Sequence, residues 1–227
     1  MGTTLKMGEL PPFEILAAGR VAAEPETGRI SSALRRQIRK KYAQSARTSD
    51  FQLISLAAVD AMLSEGGGSV VFTPRTALVA ASVLGPQDKI SGFQDDLLDY
   101  PEDGVMAGLF SQSVHNAPAG GLSMVFGLTG PSFSITGMDR LFEESFRLSS
   151  ALLETGEADT VLLICGEIKT PVADALRPLT DRIPGEEVCA FFLKKPDAAA
   201  GPALPVDADP ASVLSKIFTE RAPDHGC

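Results

Sequence analysis

Residues 130–139 have the sequence GPSFSITGMD, and the organisation of the chain can be worked out from this stretch. Its Gly-Pro pair favours a turn, and the β-branched and aromatic residues that follow predict a short strand over residues 133–136. Apolar residues at helical spacing then predict a helix over residues 138–154. After a turn at residues 156–159, the apolar run at residues 160–165 predicts a second, buried strand. A strand, a helix and a strand joined by short connections form a βαβ unit, in which the strands run parallel with a right-handed crossover.

Further strands and helices are predicted on both sides of this unit. The remaining strands are expected at residues 13–18, 69–73 and 188–194, which makes about five in all. Helices are expected at residues 31–46, from a capping box at Ser49 and Gln52 to the glycines at 66–68, at 76–84, at 87–98 and, as a short helix, at 211–221. We therefore predict an α/β fold in which a mixed sheet of about five strands has helices on both faces.

The composition of the chain excludes several classes of protein. Its 227 residues suffice for a domain with one core, which we place at residues 1–195, followed by a Pro- and Ala-rich tail at 196–227. The net charge of −9 argues against nucleic acid as a partner. No apolar run reaches the length of about 18 residues that a membrane span needs, and the N-terminus lacks the apolar segment of a signal peptide. With only three cysteines, we expect a cytoplasmic protein.

No motif for a metal or a cofactor stands out. The chain lacks a Walker-type glycine loop, a Gly-x-Ser-x-Gly elbow and a Cys-x-x-Cys pair. Asp224, His225 and Cys227 are metal-ligating residue types, but a cluster at a chain end lacks preorganised geometry, and we interpret it as a frayed end. We therefore predict neither a metal nor a cofactor.

The surroundings of residues 130–139 resemble the nucleophile segment of the β-ketoacyl synthases. Residues 127–132, GLTGPS, are similar to the family's G-L-x-G-P-S motif, and residues 113–120 resemble the segment that precedes it. Residues 48–58 resemble its early D-x-x-x-x-L-A-A helix, and residues 187–195 resemble the strand that closes the first half of its fold. The similarity covers roughly residues 12–196. It implies half of a thiolase-like αβαβα sandwich, because a complete synthase of this kind has two such halves.

Where the family has its nucleophilic cysteine, the chain has Asp139. The spacing from this residue to the turn at 156–159 matches the family without a gap, which supports the substitution. A decarboxylating condensation requires a thiolate and two imidazoles that stabilise the transition state. The two histidines of the chain, His115 and His225, lie outside the family's catalytic motifs. We therefore expect no ketosynthase activity from the chain by itself.

The alternative is a divergent acyl-thioester enzyme on the same half fold that uses Asp139 or Cys165. A carboxylate at a helix N-terminus is stabilised in its ionised form, which makes Asp139 a poor acid near neutral pH and suits a structural helix cap equally well. Cys165 lies in an apolar run, where a cysteine usually behaves as a small buried hydrophobic residue. These considerations favour structure over catalysis at both positions.

The resemblance also implies a kind of partner. Chain-length factors are family members that pair with an active ketosynthase in fatty acid and polyketide biosynthesis, including aryl-polyene-type pathways. In family dimers the strand before the nucleophile position pairs across the two-fold axis, and the segment that corresponds to residues 106–115 reaches the partner's acyl tunnel. We therefore expect a heterodimer with an active ketosynthase, with a homodimer as the alternative.

The resemblance assigns candidate residues to these two roles. The dimer strand would comprise Phe133, Ser134, Ile135 and Thr136. For each residue of the tunnel segment, ordinary core or surface packing is the competing interpretation. The tunnel-facing or partner-facing candidates are Met106, Phe110, Ser113, Val114, His115 and Asn116.

A run of basic residues without any acidic residue extends from Arg29 to Arg47. The usual interpretation of such a run is a solvated helix face. The functional interpretation is a docking patch for an acidic acyl carrier protein, which synthases of this family employ, because opposite charges there would raise the rate of encounter. The candidate docking residues are Arg35, Arg36, Arg39, Lys40 and Lys41.

Overall fold

The computed structural model describes residues 3–7, 13–43, 48–100, 106–138, 140–176, 185–196 and 203–204. Its strands are β1 (Thr3–Met7), β2 (Phe13–Ala22), β3 (Thr76–Ala81), β4 (Ser132–Ile135), β5 (Thr160–Glu167), β6 (Glu187–Lys194) and β7 (Ala203–Leu204). Its helices are α1 (Ser32–Lys41), α2 (Asp50–Gly66), α3 (Gln87–Asp99), α4 (Ala107–Ser113), α5 (Ala117–Phe126), α6 (Leu141–Glu154) and α7 (Pro171–Leu176). A 3₁₀ turn at Gly67–Ser69 follows α2.

The strands form one sheet in the order β4-β3-β5-β6-β2-β1-β7. β3 is parallel to both β4 and β5 and lies between them, so the predicted βαβ unit of β4, α6 and β5 is present with β3 inserted between its strands. β6 runs antiparallel to β5, and β2 runs antiparallel to β6. The prediction of a mixed sheet of about five strands is confirmed, and the short strands β1 and β7 extend it beyond β2.

Helices cover both faces of the sheet, as predicted. On one face α1, α2 and α5 contribute Ile38, Ile54 and Leu122 to a core against the sheet. On the other face Phe146 of α6 stacks on Phe13 of β2 with ring centroids 5.2 Å apart. The central strands are therefore buried between two helical layers.

The start of α2 confirms half of the predicted capping box. The backbone N–H of Gln52 donates a hydrogen bond of 3.2 Å to Oγ of Ser49, which is the N-cap residue. The buried Gln52 side chain instead lies against Gly121 of α5, where a Cβ atom would come within 2.0 Å of Nε2. Gly121 therefore makes room for a polar side chain between two helices. The helix ends at Gly66, as the glycine run predicts.

Two predictions around residues 69–84 are wrong. Residues 69–73, predicted as a strand, form the end of the 3₁₀ turn and a loop, and residues 76–81, predicted as helix, form β3. All six residues of β3 are buried between its parallel neighbours, so the strand has a continuous apolar run without alternation. Periodicity alone does not separate such a run from a buried helix.

The end of the chain is described only in part. The helix predicted at residues 211–221 lies outside the described residues, as does most of the tail predicted at 196–227. Residues 203–204 form β7, which pairs parallel with β1. Among the described residues no helix combines the length and the apolar character that a membrane crossing requires.

Candidate functional site

β4 lies at the edge of the sheet. Its hydrogen-bonding partner among the described residues is β3, in a register that places Phe133 beside Val79 and Ile135 beside Ala81. Phe133 is 38% exposed, and Thr136, which directly follows the strand, is exposed as well. An edge strand presents backbone N–H and C=O groups that another chain can pair with. The predicted dimer strand thus forms a strand, and it lies where a partner strand can be added.

The Gly-Pro-Ser motif attaches this edge to the sheet. A Cβ atom on Gly130 would lie 2.4 Å from the carbonyl oxygen of Thr76, so only glycine permits the approach of the two backbones. The carbonyl oxygen of Pro131 then accepts a hydrogen bond of 2.8 Å from the backbone N–H of Leu78. The motif therefore fixes where β4 starts and which of its residues face outward.

The nucleophile position falls between β4 and α6. Asp139 itself lies outside the described residues, and Arg140 follows it with a left-handed backbone (φ 57°) as the N-cap of α6. The Arg140 guanidinium donates a hydrogen bond of 2.7 Å from Nε to Glu143, and Arg147 donates one of 3.0 Å to the same carboxylate. The hydrogen bond from Arg140 is the main cause that holds the pKa of Glu143 below its usual value. The beginning of α6 is thus organised around an ionised carboxylate shared by two arginines.

The described thiols lie elsewhere, in the middle of the sheet. Cys165 of β5 stands directly opposite Cys189 of β6, and both are buried and unoxidised. Burial raises the pKa of both thiols well above the ordinary value. A buried neutral thiol is a poor nucleophile. The geometry of Cys165 therefore supports the structural role that its apolar neighbours predict.

The predicted tunnel segment lies on the surface. Met106 and Phe110 are 60% and 57% exposed, and Val114, His115 and Asn116 are exposed too. Phe110 is held by an aromatic contact with Phe93 of α3, with ring centroids 5.5 Å apart. We call the exposed apolar face formed by these two helices the α3–α4 surface; its exposed members are Leu97, Leu98, Tyr100, Met106, Phe110 and Val114.

This surface is larger than the sequence predicted. Leu97, Leu98 and Tyr100 lie at the end of α3 among several aspartates, and no motif in the sequence assigned them a role. Apolar residues one turn apart on that helix were the signal that could have identified them. Ser113, by contrast, is half-buried, and the Oε1 atom of its neighbour Gln112 is buried without a hydrogen-bond partner among the described residues.

A buried carboxylate supports the loop beneath His115. Glu167, at the end of β5, accepts hydrogen bonds from Oγ of Ser82 at 3.0 Å, the N–H of Leu84 at 2.9 Å and the N–H of Ile168 at 3.1 Å. The imidazole of His115 packs over the same loop at Gly85. Sequence patterns gave no signal for this role, because two of the three donors, Ser82 and Leu84, are 85 and 83 residues away in the chain.

The structure brings the two predicted partner segments together. α5 contacts α4 and β4, so the exposed residues of α4 and the edge strand are neighbours through one helix. The candidate docking residues lie apart from them, on α1, which packs on α2. A partner that covers β4 and α4 would therefore leave α1 accessible.

The basic run on α1 has two kinds of residue. Arg35 is part of the fold, since it pairs with the fully buried Glu186 at 2.7 Å and with Asp50 at 2.6 Å. Two other members are also paired, Arg39 with Asp50 at 3.3 Å and Lys41 with Asp60 at 2.9 Å. Arg36 and Lys40 are exposed and make no ion pair with a described residue. They are the cations that remain available to a partner.

Within the described ranges, no group of three or more His, Cys, Asp or Glu side chains could hold a metal ion.

A family model matches part of the chain, and solved structures match its fold. Residues 102–213 match the family model of the β-ketoacyl synthase N-terminal domain. No curated protein matches the chain in sequence. Among solved structures, the ishigamide ketosynthase/chain length factor has a TM-score of 0.65 at 17% identity, over 84% of this chain and 64% of that one.

Two further solved structures have the same fold. The ketosynthase ApeO in complex with its chain length factor ApeC, from Xenorhabdus doucetiae, has a TM-score of 0.58 at 17% identity, over 83% of this chain and 80% of that one. AntDE:AntF, a type II polyketide synthase acyl-carrier protein in complex with its ketosynthase, has a TM-score of 0.62 at 13% identity, over 80% and 62%. The chain thus spans less than two thirds of the ishigamide and AntDE proteins that it matches. The predicted thiolase-like half fold is confirmed.

Proposed function

We propose that this chain, whose residues 102–213 match the N-terminal domain of the β-ketoacyl synthase family, is a non-catalytic, chain-length-factor-like partner of an active ketosynthase. In this role it stabilises the synthase and shapes its acyl tunnel during fatty-acid- or polyketide-type biosynthesis. The observation that carries the proposal is Asp139, which stands where the family has its nucleophilic cysteine.

The chemistry of the described residues supports a role without catalysis. Condensation needs an accessible thiolate and donors aimed at the developing charge. Cys165 and Cys189 are buried in neighbouring strands with raised pKa values, and His115 is exposed above Gly85. Neither described thiol is therefore an accessible thiolate.

The surface supports a partner. β4 is an open edge with the exposed Phe133, and the α3–α4 surface adds further apolar side chains next to it through α5. A concentration of exposed apolar side chains marks sites of protein association. Two of the solved structures that share the fold hold a ketosynthase together with a chain length factor, which makes the same arrangement a reasonable proposal for this chain.

The test is co-expression of the chain with each ketosynthase encoded beside its gene, followed by size-exclusion chromatography with light scattering. We expect a heterodimer that buries on the order of 2,000 Å² or more, as obligate pairs do. Phe133→Asp should abolish the complex, because a charge would be buried beside the paired edge. The matched control is Val71→Asp, since Val71 is an apolar residue that is 61% exposed on the loop between α2 and β3 and belongs neither to β4 nor to the α3–α4 surface. A monomer that binds none of these synthases, or equal effects of both substitutions, would contradict the proposal.

A further inference from the structure

A cleft of about 310 Å³ lies between the first half of α3 and the loop after β5. The N-terminus of α2 and the residue after the turn at 25–28 complete its wall. Its volume is at the lower end of the range of small-molecule sites. Its charged residues are Arg29, Asp50, Asp88, Asp95 and Lys169.

The charges of this cleft are sorted by sign. Asp88 and Asp95 are seven positions apart on α3 and so occupy one face of that helix, with Gly92 between them in the lining. Lys169 belongs to the opposite wall, because its Nζ atom lies over the turn at Gly28, where a Cβ atom would be 3.6 Å away. Arg29 directly follows that turn. Cations thus line one wall and carboxylates line the other.

The two walls do not neutralise each other. Asp50 is already paired with arginines of α1. Across the described part of the chain, the side chains of Arg29, Asp95 and Lys169 make no ion pair. The backbone of Lys169 is held by a hydrogen bond of 3.2 Å from its N–H to the buried Glu186, which keeps this residue on its own wall.

Asp88 has an unused acceptor. One of its oxygens, Oδ2, accepts a hydrogen bond of 3.2 Å from the backbone N–H of Asp50, and the other, Oδ1, is buried without a partner among the described residues. The nearest cation, Nζ of Lys89, is 3.9 Å from Oδ2. Burial raises the pKa of Asp88, which a cationic group bound beside it would offset.

We propose that this cleft binds a small zwitterion, whose anionic group pairs with Arg29 and Lys169 and whose ammonium group pairs with Asp88 and Asp95. A ligand with a single charge would satisfy one wall and leave the other unpaired. A molecule with both charges complements both walls at once, and the cleft has room for one of amino-acid size. None of the residues that line the cleft belongs to β4 or is a named member of the α3–α4 surface, so the two proposals are tested by different residues.

The test is a titration of the ¹⁵N-labelled full chain followed by two-dimensional NMR. Glycine, β-alanine and γ-aminobutyrate are the probes, because they place the same two charges at increasing separation. We expect saturable shifts of the Ser91 and Gly92 amides with at least one of them, and binding about tenfold weaker or more for acetate and ethylammonium, which carry one charge each. Absence of saturation with all three zwitterions, or equal binding of acetate alone, would overturn the proposal.

Substitutions on both walls make the test specific. Lys169→Met and Asp88→Asn should each weaken the binding of the zwitterion by about tenfold or more. The matched controls are Lys195→Met and Asp159→Asn, which remove the same charges from exposed pairs with Glu154 and Arg75 and should change nothing. If Asp88→Asn does not fold, Asp95→Asn at an exposed position replaces it. Equal losses in the controls would show that the binding is unrelated to this cleft.

Discussion

At the scale of single residues, the entry to α6 combines an unfavourable backbone with a favourable cluster of charges. Arg140 has a φ of 57°, a left-handed conformation that costs a residue with a side chain roughly 1–2 kcal/mol. Its guanidinium and that of Arg147 both bind the nearly buried carboxylate of Glu143, and these contacts offset the cost. The position after Asp139 is therefore occupied by a structural ion cluster.

Glu143→Gln should destabilise the chain by about 1 kcal/mol at pH 7, because the ionised carboxylate that both arginines bind is lost while the half-exposed arginines remain screened by water. The pKa of Glu143 is lowered from 4.5 in the folded state, so this stability is present above about pH 4.5 and is lost as the pH falls through the lower folded-state value. Urea denaturation at pH 7 and at lower pH values measures the effect.

The control for this substitution is Glu154→Gln, which breaks one exposed pair with Lys195 and should cost less than about 0.5 kcal/mol at either pH. A Glu143 effect that does not shrink at low pH would contradict the role of the ionised carboxylate.

The purified chain should take up no acyl group from acyl carrier protein or acyl-CoA donors. Asp139 offers no thiolate, a carboxylate would form only a labile anhydride, and Cys165 is 6% exposed with a raised pKa. Asp139→Cys should be acylated at most, without condensation, because no pair of imidazoles accompanies it. Intact-mass spectrometry reads out the adducts, and a stable adduct on Asp139 or Cys165 of the unmodified chain would refute the non-catalytic assignment.

At the scale of elements, β3 shows what local patterns can and cannot predict. The strands that alternate with turns and the helix begun by Ser49 were predicted because their signals are local. β3 was predicted as helix because all six of its residues are buried between neighbours on both sides in the sheet, and the five after Thr76 are apolar without alternation. Which of two adjacent apolar runs, 69–73 or 76–81, enters the sheet depends on those neighbours.

The exposed Phe110 on α4 should limit product length in the complex with a ketosynthase. A tunnel end acts by exclusion, since each methylene that fits gains about 0.8 kcal/mol while overpacking costs about 1–3 kcal/mol. Phe110→Ala should therefore lengthen the products by one or more extension units, as judged by mass spectrometry of reconstituted reactions.

Met124→Ala is the matched control for Phe110→Ala, because Met124 is an apolar residue of α5 that is 81% exposed. Unchanged product length with Phe110→Ala in a complex that still assembles would leave the chain as a stabilising scaffold without a role in chain length.

On α1, the exposed cations Arg36 and Lys40 should accelerate the encounter with an acidic carrier protein. Replacement of both by Glu should lower the association rate constant by about tenfold at low salt, and the difference should shrink as salt is added. The control replaces Arg75 and Lys195 by Glu, which changes the net charge equally at other exposed sites. Stopped-flow experiments with labelled carrier protein measure the association rate constant. An equal decrease of this constant in both variants would show only the effect of net charge and would contradict a docking role of α1.

At the scale of the whole molecule, a partner on β4 should change amide exchange in a restricted region. Hydrogen exchange of residues 132–136 should slow markedly when the ketosynthase is bound, because open edge amides acquire partners. Amides of α2, already inside the larger core, should not change. Protection that is spread evenly over the chain, or absent from β4, would contradict the proposed interface.

Some features of the candidate site could not be predicted from the sequence, because they depend on residues that are far apart in the chain. The strand at residues 133–136 was predicted from local signals, and it is observed at Ser132–Ile135. The roles of this strand and of the α4 residues come from the resemblance and stay predictions. The use of Arg35 as an interior ion-pair partner depends on Glu186, which is 151 residues away. No pattern within a window reports such a pair, so a basic run predicted as one docking patch consists of structural and available cations side by side.

The open edge of β4 also has a consequence for how such a subunit can be produced in a cell. A strand whose outer edge pairs with no other described strand, and which carries an exposed phenylalanine, accepts whichever strand arrives first, including that of an identical chain or of a misfolded protein. Under the proposed function, synthesis in equal amounts with the ketosynthase would cover the edge soon after it forms. An excess of either messenger RNA would leave unpaired subunits, which chaperones and proteases would have to remove. Balanced expression of the two genes would therefore be under selection.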